Sequence, residues 1–152
     1  MFKKILVAID GSDKSKKALH YALVLSEKFS SELIILTVYQ KRLLPMISLE
    51  DVEAEEIDIE LQEKYWESMK GYYTGILKSA EQIAKKDWPS VKYIALLAEG
   101  RVSTEIISTA EKNEVDLIVL GGQGTGGLTG WMLGTTSKRV VDHSTRPVFI
   151  VK

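Results

Sequence analysis

The residues that most clearly suggest chemistry form a glycine-rich segment near the end of the chain. Most of the chain's 11 glycines lie between Gly121 and Gly134, and three hydroxyl residues, Thr135, Thr136 and Ser137, follow directly. Glycines let successive backbone N–H groups turn towards an anion and let the anion approach without an intervening Cβ. A helix beginning at these hydroxyls would add its positive dipole end or be capped by them. The segment therefore predicts a phosphate-binding loop, and the plain alternative is a flexible surface loop before a capped helix.

Two established phosphate-binding motifs do not account for this segment. The P-loop needs Gly-Lys followed by Ser or Thr, a sequence that occurs nowhere in the chain. The dinucleotide-binding pattern does occur as Gly122-x-Gly124-x-x-Gly127, with Asp142 about twenty residues further on. However, that acid should end the next strand, whereas Asp142 precedes Pro147 and the last apolar run. We therefore expect neither a P-loop phosphoryl-transfer enzyme nor an NAD site.

A second candidate group follows the first apolar run, where Asp10 precedes Gly11 and Ser12. A carboxylate at the carboxyl end of a strand can accept hydrogen bonds from ribose hydroxyls or help to hold Mg²⁺. The same residues equally suit a turn shaped by Asp10, with Ser12 or Asp13 capping the next helix. Both interpretations of Asp10 are open at the level of the sequence.

The elements that must position these residues alternate along the chain. Strands are predicted at residues 5–9, 33–38, 91–98, 117–120 and 148–151, and helices at 13–29, about 50–86, 102–112 and 135–142. Runs that are apolar on successive residues are typical of strands covered on both faces, so this order predicts an α/β fold with one doubly wound parallel sheet. Gly71 and Gly75 are candidates for a break in the long second helix.

The predicted topology also says where function should lie. Ligands of such sheets bind outside the carboxyl ends of the strands, at the point where the winding reverses. The positions to search are those just after Ile9, Val38, Ala98 and Leu120.

The composition argues against several classes of protein. The chain has 152 residues, with 20 Lys plus Arg against 21 Asp plus Glu, so it offers no broad field for nucleic acid or an anionic membrane. Without cysteine it has no disulfide or thiolate chemistry, and two histidines, His20 and His143, are too few for a metal site of their own. No run approaches the ~20 apolar residues of a membrane span, and no cleavable leader is evident. We expect one domain over residues 1–152, resident in the cytoplasm.

Several segments together resemble the nucleotide-binding universal stress proteins. The spacing Gly121-x2-Gly124-x9-Gly134-Thr135 is similar to that family's glycine signature. Residues 4–12 resemble its opening strand, residues 145–151 its closing strand, and residues 116–121 the strand that leads into the signature. The resemblance covers the whole chain and is weakest from Pro45 to Asp87.

The resemblance implies both a fold and a ligand. The fold would be a five-stranded parallel sheet in the order 3-2-1-4-5 with helices on both faces, of the adenine nucleotide alpha hydrolase-like type. The chain would form a homodimer partly through its last strand. The ligand would be ATP, or ADP or AMP, with Mg²⁺.

The resemblance also implies a role for individual positions. Asp10 would meet the ribose and the metal, the backbone of Val38 would contact the adenine edge, and Gly100 would lie near the sugar. The walls around base and sugar would be lined by Ala8, Val102 and Leu120, and the phosphates would be held by Gly121, Gly124, Gly134, Thr135 and Thr136. Because no lysine lies between Gly121 and Ser137, charge neutralisation would rest on backbone dipoles, Mg²⁺, and Arg101 or Lys138.

The expected function is binding rather than catalysis. Hydrolysis or phosphoryl transfer needs a positioned base and strong charge stabilisation, and the predicted site has no pair of histidines or carboxylates. The chain is therefore expected to be a nucleotide-dependent stress-response or signalling module. The alternatives are a slow ATPase, self-phosphorylation on Thr135 or Ser137, and a structural dimer with an empty site. A synthetase of similar architecture would carry a Ser-Gly-Gly-type loop where this chain has residues 10–13.

Overall fold

The structure, a computed structural model, describes residues 1–42, 59–122 and 132–152. Strands and helices alternate along these residues: β1 (Lys4–Ala8), α1 (Asp13–Phe29), β2 (Glu32–Tyr39), α2 (Ile59–Asp87), β3 (Tyr93–Glu99), α3 (Val102–Lys112), β4 (Leu117–Gly121), α4 (Thr135–His143) and β5 (Val148–Val151). The strands form one parallel five-stranded sheet in the order β3-β2-β1-β4-β5. The predicted fold class and strand order are confirmed.

Two apolar layers hold the helices against the sheet, one on each face. The side chains of Ile5 and Val7 lie in the layer under α1 and α2, whereas Leu6, between them, lies in the layer under α3 and α4. Successive side chains of a strand point to opposite faces, so a strand covered on both sides must be apolar at every position. Burial of each such side chain contributes roughly 1.5–3 kcal/mol, which makes the centre of the sheet a rigid platform.

The long helix α2 departs from expectation. Gly71 and Gly75 do not interrupt it, and a Cβ at either position would meet nothing within 4 Å. Each glycine costs about 1 kcal/mol relative to alanine in a helix interior, and burial of Leu77, Ala80 and Ala84 against the sheet offsets that cost. The predicted start of this helix near residue 50 lies outside the described residues.

The edges of the sheet are β3 and β5. β3 begins at Tyr93 and is only partly buried along its length, which explains the mixed apolar pattern that it has in the sequence. In the described ranges, no helix combines the length and the apolar character needed to cross a membrane.

Candidate functional site

The carboxyl ends of β1 and β4 lie side by side in the middle of the sheet. Ala8 is opposite Leu120 in the β1–β4 register, with β2 and β3 to one side and β5 to the other. The winding therefore reverses between these two strands, which is where ligands of open α/β sheets bind. Val102, at the start of α3, packs against the same apolar layer. The three predicted wall residues are thus brought into one region.

Val38 lies two residues past Leu36, the last residue of β2 that pairs with β1. The β1–β2 register ends with Ala8 opposite Leu36, whose carbonyl oxygen accepts a last hydrogen bond from the Ile9 N–H at 2.9 Å. Backbone groups two residues apart in a strand point to the same side, so those of Val38 are directed to the side of β1 where the described ladder has ended. The Val38 backbone is therefore directed towards the space beyond the end of β1, and the residue as a whole is buried.

Gly100 closes the neighbouring corner of this edge. Its N–H donates to the Tyr39 carbonyl oxygen at 3.0 Å, which joins the end of β3 to the end of β2. Its φ of +148° is one that side-chain-bearing residues rarely adopt, and a Cβ would lie 2.8 Å from Glu105 Oε1. A glycine is therefore needed at this position for backbone reasons, whatever it contacts.

Asp10 shapes the turn between β1 and α1. Its Oδ1 accepts the Ser12 N–H at 2.9 Å, and Ser12 Oγ caps α1 by accepting the Ser15 N–H at 3.2 Å. The Ser15 hydroxyl donates back to the Ser12 carbonyl at 2.9 Å. The turn-forming interpretation of Asp10 is therefore correct. Its second oxygen, Oδ2, has no hydrogen-bond partner in the described part of the chain, so this carboxylate can still bind a ligand.

Gly121 has a packing role that the sequence analysis missed. A Cβ on this residue, the last of β4, would lie 2.8 Å from the backbone carbonyl carbon of Lys14 in the first turn of α1. The glycine is needed there because two regular backbones meet, independently of any phosphate. The glycine-rich sequence predicts a phosphate-binding loop or a flexible surface loop, and neither interpretation includes this main-chain contact.

The two ends of the glycine-rich loop are held together. The Gly122 N–H donates to the Val151 carbonyl and the Gly134 N–H donates to the Gly122 carbonyl, each at 2.8 Å. The loop therefore leaves and re-enters the fold at one point beside β5. Gly124, predicted to hold phosphate, lies within the stretch 123–131, outside the described residues.

The start of α4 differs from the expected capping. Gly134 is the N-cap and no side chain caps the helix in the described structure, so capping by Thr135, Thr136 or Ser137 is not observed. The Ser137 hydroxyl is buried and donates instead to the Gly121 carbonyl at 2.8 Å, fixing α4 to the end of β4. The first-turn N–H groups of a helix without a side-chain cap form a ready site for an anion.

The site has few ionisable groups in the described ranges. No cluster of three or more His, Cys, Asp or Glu side chains there could hold a metal. A magnesium ion would therefore need oxygen ligands from the bound molecule and from water in addition to the Asp10 carboxylate.

A second polar cluster, also missed by the sequence analysis, lies where β2 and β3 end on the α2 side. The Tyr39 hydroxyl donates to Glu99 Oε2 at 2.8 Å, and Lys41 Nζ lies 3.3 Å from Glu99 Oε1 and 5.1 Å from the ring centre of Trp66. The bond from Tyr39 and then the interaction with Lys41 lower the pKa of Glu99, while burial and Glu99 raise that of Tyr39. The facing register of Tyr39 and Glu99 was the available signal, but it required knowing that β2 pairs with β3.

Comparison with known proteins agrees with this architecture. The model of the Universal stress protein family matches residues 1–152. The chain is 38% identical to universal stress protein YxiE of Bacillus subtilis over 155 residues, covering all of both chains. Its fold is that of universal stress protein UspA from Lactobacillus plantarum, with a TM-score of 0.82 at 21% identity over 99% of this chain and 97% of the other.

A universal stress protein solved in complex with cAMP is also similar. Its TM-score is 0.69 at 25% identity, over 99% of this chain and 97% of that one. With a family match over its full length and a bacterial relative at 38% identity, the chain belongs to the universal stress protein family.

Proposed function

We propose that this protein binds an adenine nucleotide, ATP or its products ADP and AMP, at the carboxyl edge of the sheet between β1 and β4. The observation that carries the proposal is that Asp10, just past the end of β1, lies at the same edge of the sheet as the end of β4 at Gly121, to which the Ser137 hydroxyl bonds the first turn of α4. The start of α4 has no side-chain cap in the described structure. The complex of a similar universal stress protein with cAMP supports an adenine nucleotide as the ligand.

Each part of the nucleotide would meet a different kind of group. The phosphates would accept hydrogen bonds from the backbone at Gly134, Thr135 and Thr136, and from Gly121 and Gly124 at the start of the loop. The adenine edge would bond to the backbone of Val38, which extends past the last β1–β2 pair. The sugar would lie near Gly100, and apolar walls would come from Ala8, Val102 and Leu120.

Magnesium would be shared between the nucleotide and Asp10. Mg²⁺ in nucleotide sites is commonly held by one or two carboxylates, the phosphates and several waters. Asp10 Oδ2 suits this role because the turn uses only Oδ1. One carboxylate with backbone donors and apolar walls favours binding over rapid hydrolysis. The protein would therefore act as a nucleotide-dependent stress-response or signalling module in the cytoplasm.

The chain would form a homodimer through β5. This strand is at the edge of the sheet, where unpaired backbone groups offer a surface for another strand. Phe149 on β5 is 38% exposed and contacts Tyr21, itself 47% exposed, at a ring-centre distance of 5.8 Å. A second copy pairing across a two-fold axis would cover both rings and both strand edges.

The binding proposal is tested first by denaturing freshly purified protein and identifying released nucleotide by chromatography and mass spectrometry, with calorimetry of Mg-ATP on the emptied protein. We expect adenine nucleotide at near one per chain, or binding on addition. The variant Gly124→Val should lose binding with its circular dichroism intact, and Gly71→Ala, a glycine change on α2, should keep it. Protein that is empty and ignores ATP would reject the proposal.

The dimer is tested by light scattering coupled to size-exclusion chromatography. We expect wild type at twice the monomer mass and Phe149→Glu at the monomer mass. Ile83→Glu places the same charge at an apolar position of α2 that is 42% exposed and should remain dimeric. A monomeric wild type would contradict the proposal.

A further inference from the structure

A cavity of about 340 Å³ lies between α3 and α4. Its lining includes Arg101, which immediately precedes α3, and Thr104, Ser108 and Glu111 on α3, and the spacing of three and four residues places these four in one stripe. Thr104 and Glu111 are exposed, whereas the buried Ile106 on the same helix faces the sheet. The cavity therefore opens on the outer side of the helical layer.

Two guanidinium groups from different helices line this cavity. Arg101 precedes the first residue of α3 and Arg139 lies in the middle of α4, and in the described structure neither forms an ion pair. Glu111 is the single acid among the described lining residues, while nearby Lys138 is already paired with Asp142 at 2.7 Å. A guanidinium stays charged at any physiological pH, so the cavity carries excess positive charge.

His143 adds a group that can bond to a ligand. Its Nδ1 lies 2.9 Å from the Arg139 carbonyl oxygen, and because a carbonyl can only accept, Nδ1 must carry the hydrogen. Nε2 is then the nitrogen left for other partners. It accepts from a hydroxyl when the ring is neutral and donates to an anion when the ring is protonated.

We propose that this cavity binds a small phosphate monoester with a hydroxyl-bearing carbon frame. Arg101 and Arg139 match the phosphate through planar forks that bind two oxygens at once, and the hydroxyl of Ser108 donates to it. Glu111, at the far end of the α3 stripe, accepts from a hydroxyl of the frame. The volume is near the lower end for small-molecule sites, which favours a ligand of few carbon atoms.

The cavity begins next to the proposed nucleotide edge, where Arg101 follows Gly100, and extends along α3 to Glu111. Val102 packs in the layer against the sheet, whereas its neighbour Arg101 lines the outer cavity. The resemblance gave Arg101 as one candidate for neutralising the nucleotide's phosphates, but the proposed nucleotide site uses no side chain of the cavity, and the variant that separates the two sites is made at Arg139. Failure of one proposal therefore leaves the other open to its own test.

The test is a titration of the ¹⁵N-labelled full chain with glycerol 3-phosphate, followed by amide NMR, with glycerol and inorganic phosphate as matched probes. We expect saturable shifts at amides 101–111 and 139–143, none with glycerol, and weaker binding of inorganic phosphate. Arg139→Gln should weaken binding by about tenfold, the loss of one charge-assisted contact. Lys138→Gln, the same charge change one residue earlier, should bind like wild type. Each variant is also titrated with Mg-ATP and checked for its fold by circular dichroism.

Several outcomes would overturn the proposal. One is the absence of saturable shifts on α3 and α4, and another is shifts confined to residues 8–10, 121–122 and 134–136. Equal affinity of Arg139→Gln and wild type would remove the role of the guanidinium. Inorganic phosphate bound as tightly as the ester would reject the ester class. Ester binding by a protein that ignores ATP would reject only the nucleotide proposal.

Discussion

A Cβ atom on Gly121 would lie 2.8 Å from the backbone carbonyl carbon of Lys14 and 3.0 Å from its carbonyl oxygen. Gly121 ends β4 and Lys14 lies in the first turn of α1, so both belong to regular backbone. The two elements that flank the candidate site are thus in direct main-chain contact, which fixes the distance between Asp10 before α1 and the loop after β4.

Gly121→Ala should destabilise the fold. The added methyl must push a helix away from a strand, because neither backbone can rotate aside as a flexible side chain would. Overpacking of this kind typically costs about 1–3 kcal/mol. Urea unfolding followed by circular dichroism would measure the change in the free energy of unfolding, and a variant as stable as wild type would show that α1 can move at no cost.

Gly71→Ala is the matched substitution, with the opposite expected effect on the free energy of unfolding. Gly71 is inside α2 and a Cβ there meets nothing within 4 Å. Alanine restricts the unfolded chain and favours the helix, so we expect stabilisation by about 1 kcal/mol or somewhat less. Destabilisation by Gly71→Ala in the same urea experiment would mean that this part of α2 contacts something beyond the described residues.

Ser137→Ala tests the link between α4 and β4. Loss of the hydroxyl leaves the Gly121 carbonyl without this buried donor, which should cost about 1–3 kcal/mol. Thr135→Ala, at an exposed position without a side-chain bond to the described residues, should cost less. Because the Ser137 side chain is buried and Thr135 is exposed, Thr135 is the accessible hydroxyl of the two if the protein phosphorylates itself. Equal unfolding free energies for the two variants would contradict this account.

Much of the fold can be predicted from the sequence because a strand buried on both faces is apolar on successive residues, which is a local pattern. β1, β2, β4 and β5 are apolar on successive residues, and their predicted bounds agree with the structure to within one residue. Periodicity cannot tell which strands are neighbours, so the order 3-2-1-4-5 depended on the resemblance to a family. β3, an edge strand with a mixed pattern, begins two residues later than predicted.

The candidate site was only partly accessible to the same reasoning. Topology alone directs ligands to the carboxyl ends of the strands, so the positions to search could be inferred from the sequence, and their binding of a ligand stays a prediction. The contact of Gly121 with Lys14 and the bond of Ser137 to Gly121 join residues from different elements, and no local pattern encodes them. The cavity between α3 and α4 was missed for a related reason, since Arg101 and Arg139 come together only when the two helices pack.

Asp116 should make stability depend on acidity. Its Oδ2 accepts the backbone N–H groups of Lys4 at 3.0 Å and Lys3 at 2.7 Å, and these bonds hold the pKa of the carboxyl below its usual value of about 3.9. Because the pKa of this carboxyl is lower in the folded than in the unfolded state, its ionised form stabilises the folded protein above about pH 4. This contribution is lost as the pH falls through the folded-state pKa.

Asp116→Asn removes most of that dependence. The variant should be less stable than wild type at about pH 6, and the difference should shrink towards about pH 3 as the wild-type carboxyl is protonated. Glu67→Gln makes the same charge change at an exposed position of α2 and serves as the control. Urea unfolding at both pH values measures the effect, and a difference that does not change with pH would show that the two backbone bonds do not favour the charged form.

The two oxygens of Asp10 allow its turn-forming and ligand-binding roles to be separated. Asp10→Asn keeps an oxygen that can accept the Ser12 N–H but removes the charge, so we expect near wild-type stability and about tenfold weaker binding of Mg-ATP. Asp10→Ala removes both the accepting oxygen and the charge. It should therefore also lose about 1 kcal/mol of stability, because the hydrogen bond of the turn is lost. Urea unfolding and calorimetry with and without Mg²⁺ measure the two effects. If Asp10→Asn binds Mg-ATP as wild type does, the carboxylate serves the turn alone and the metal needs another ligand.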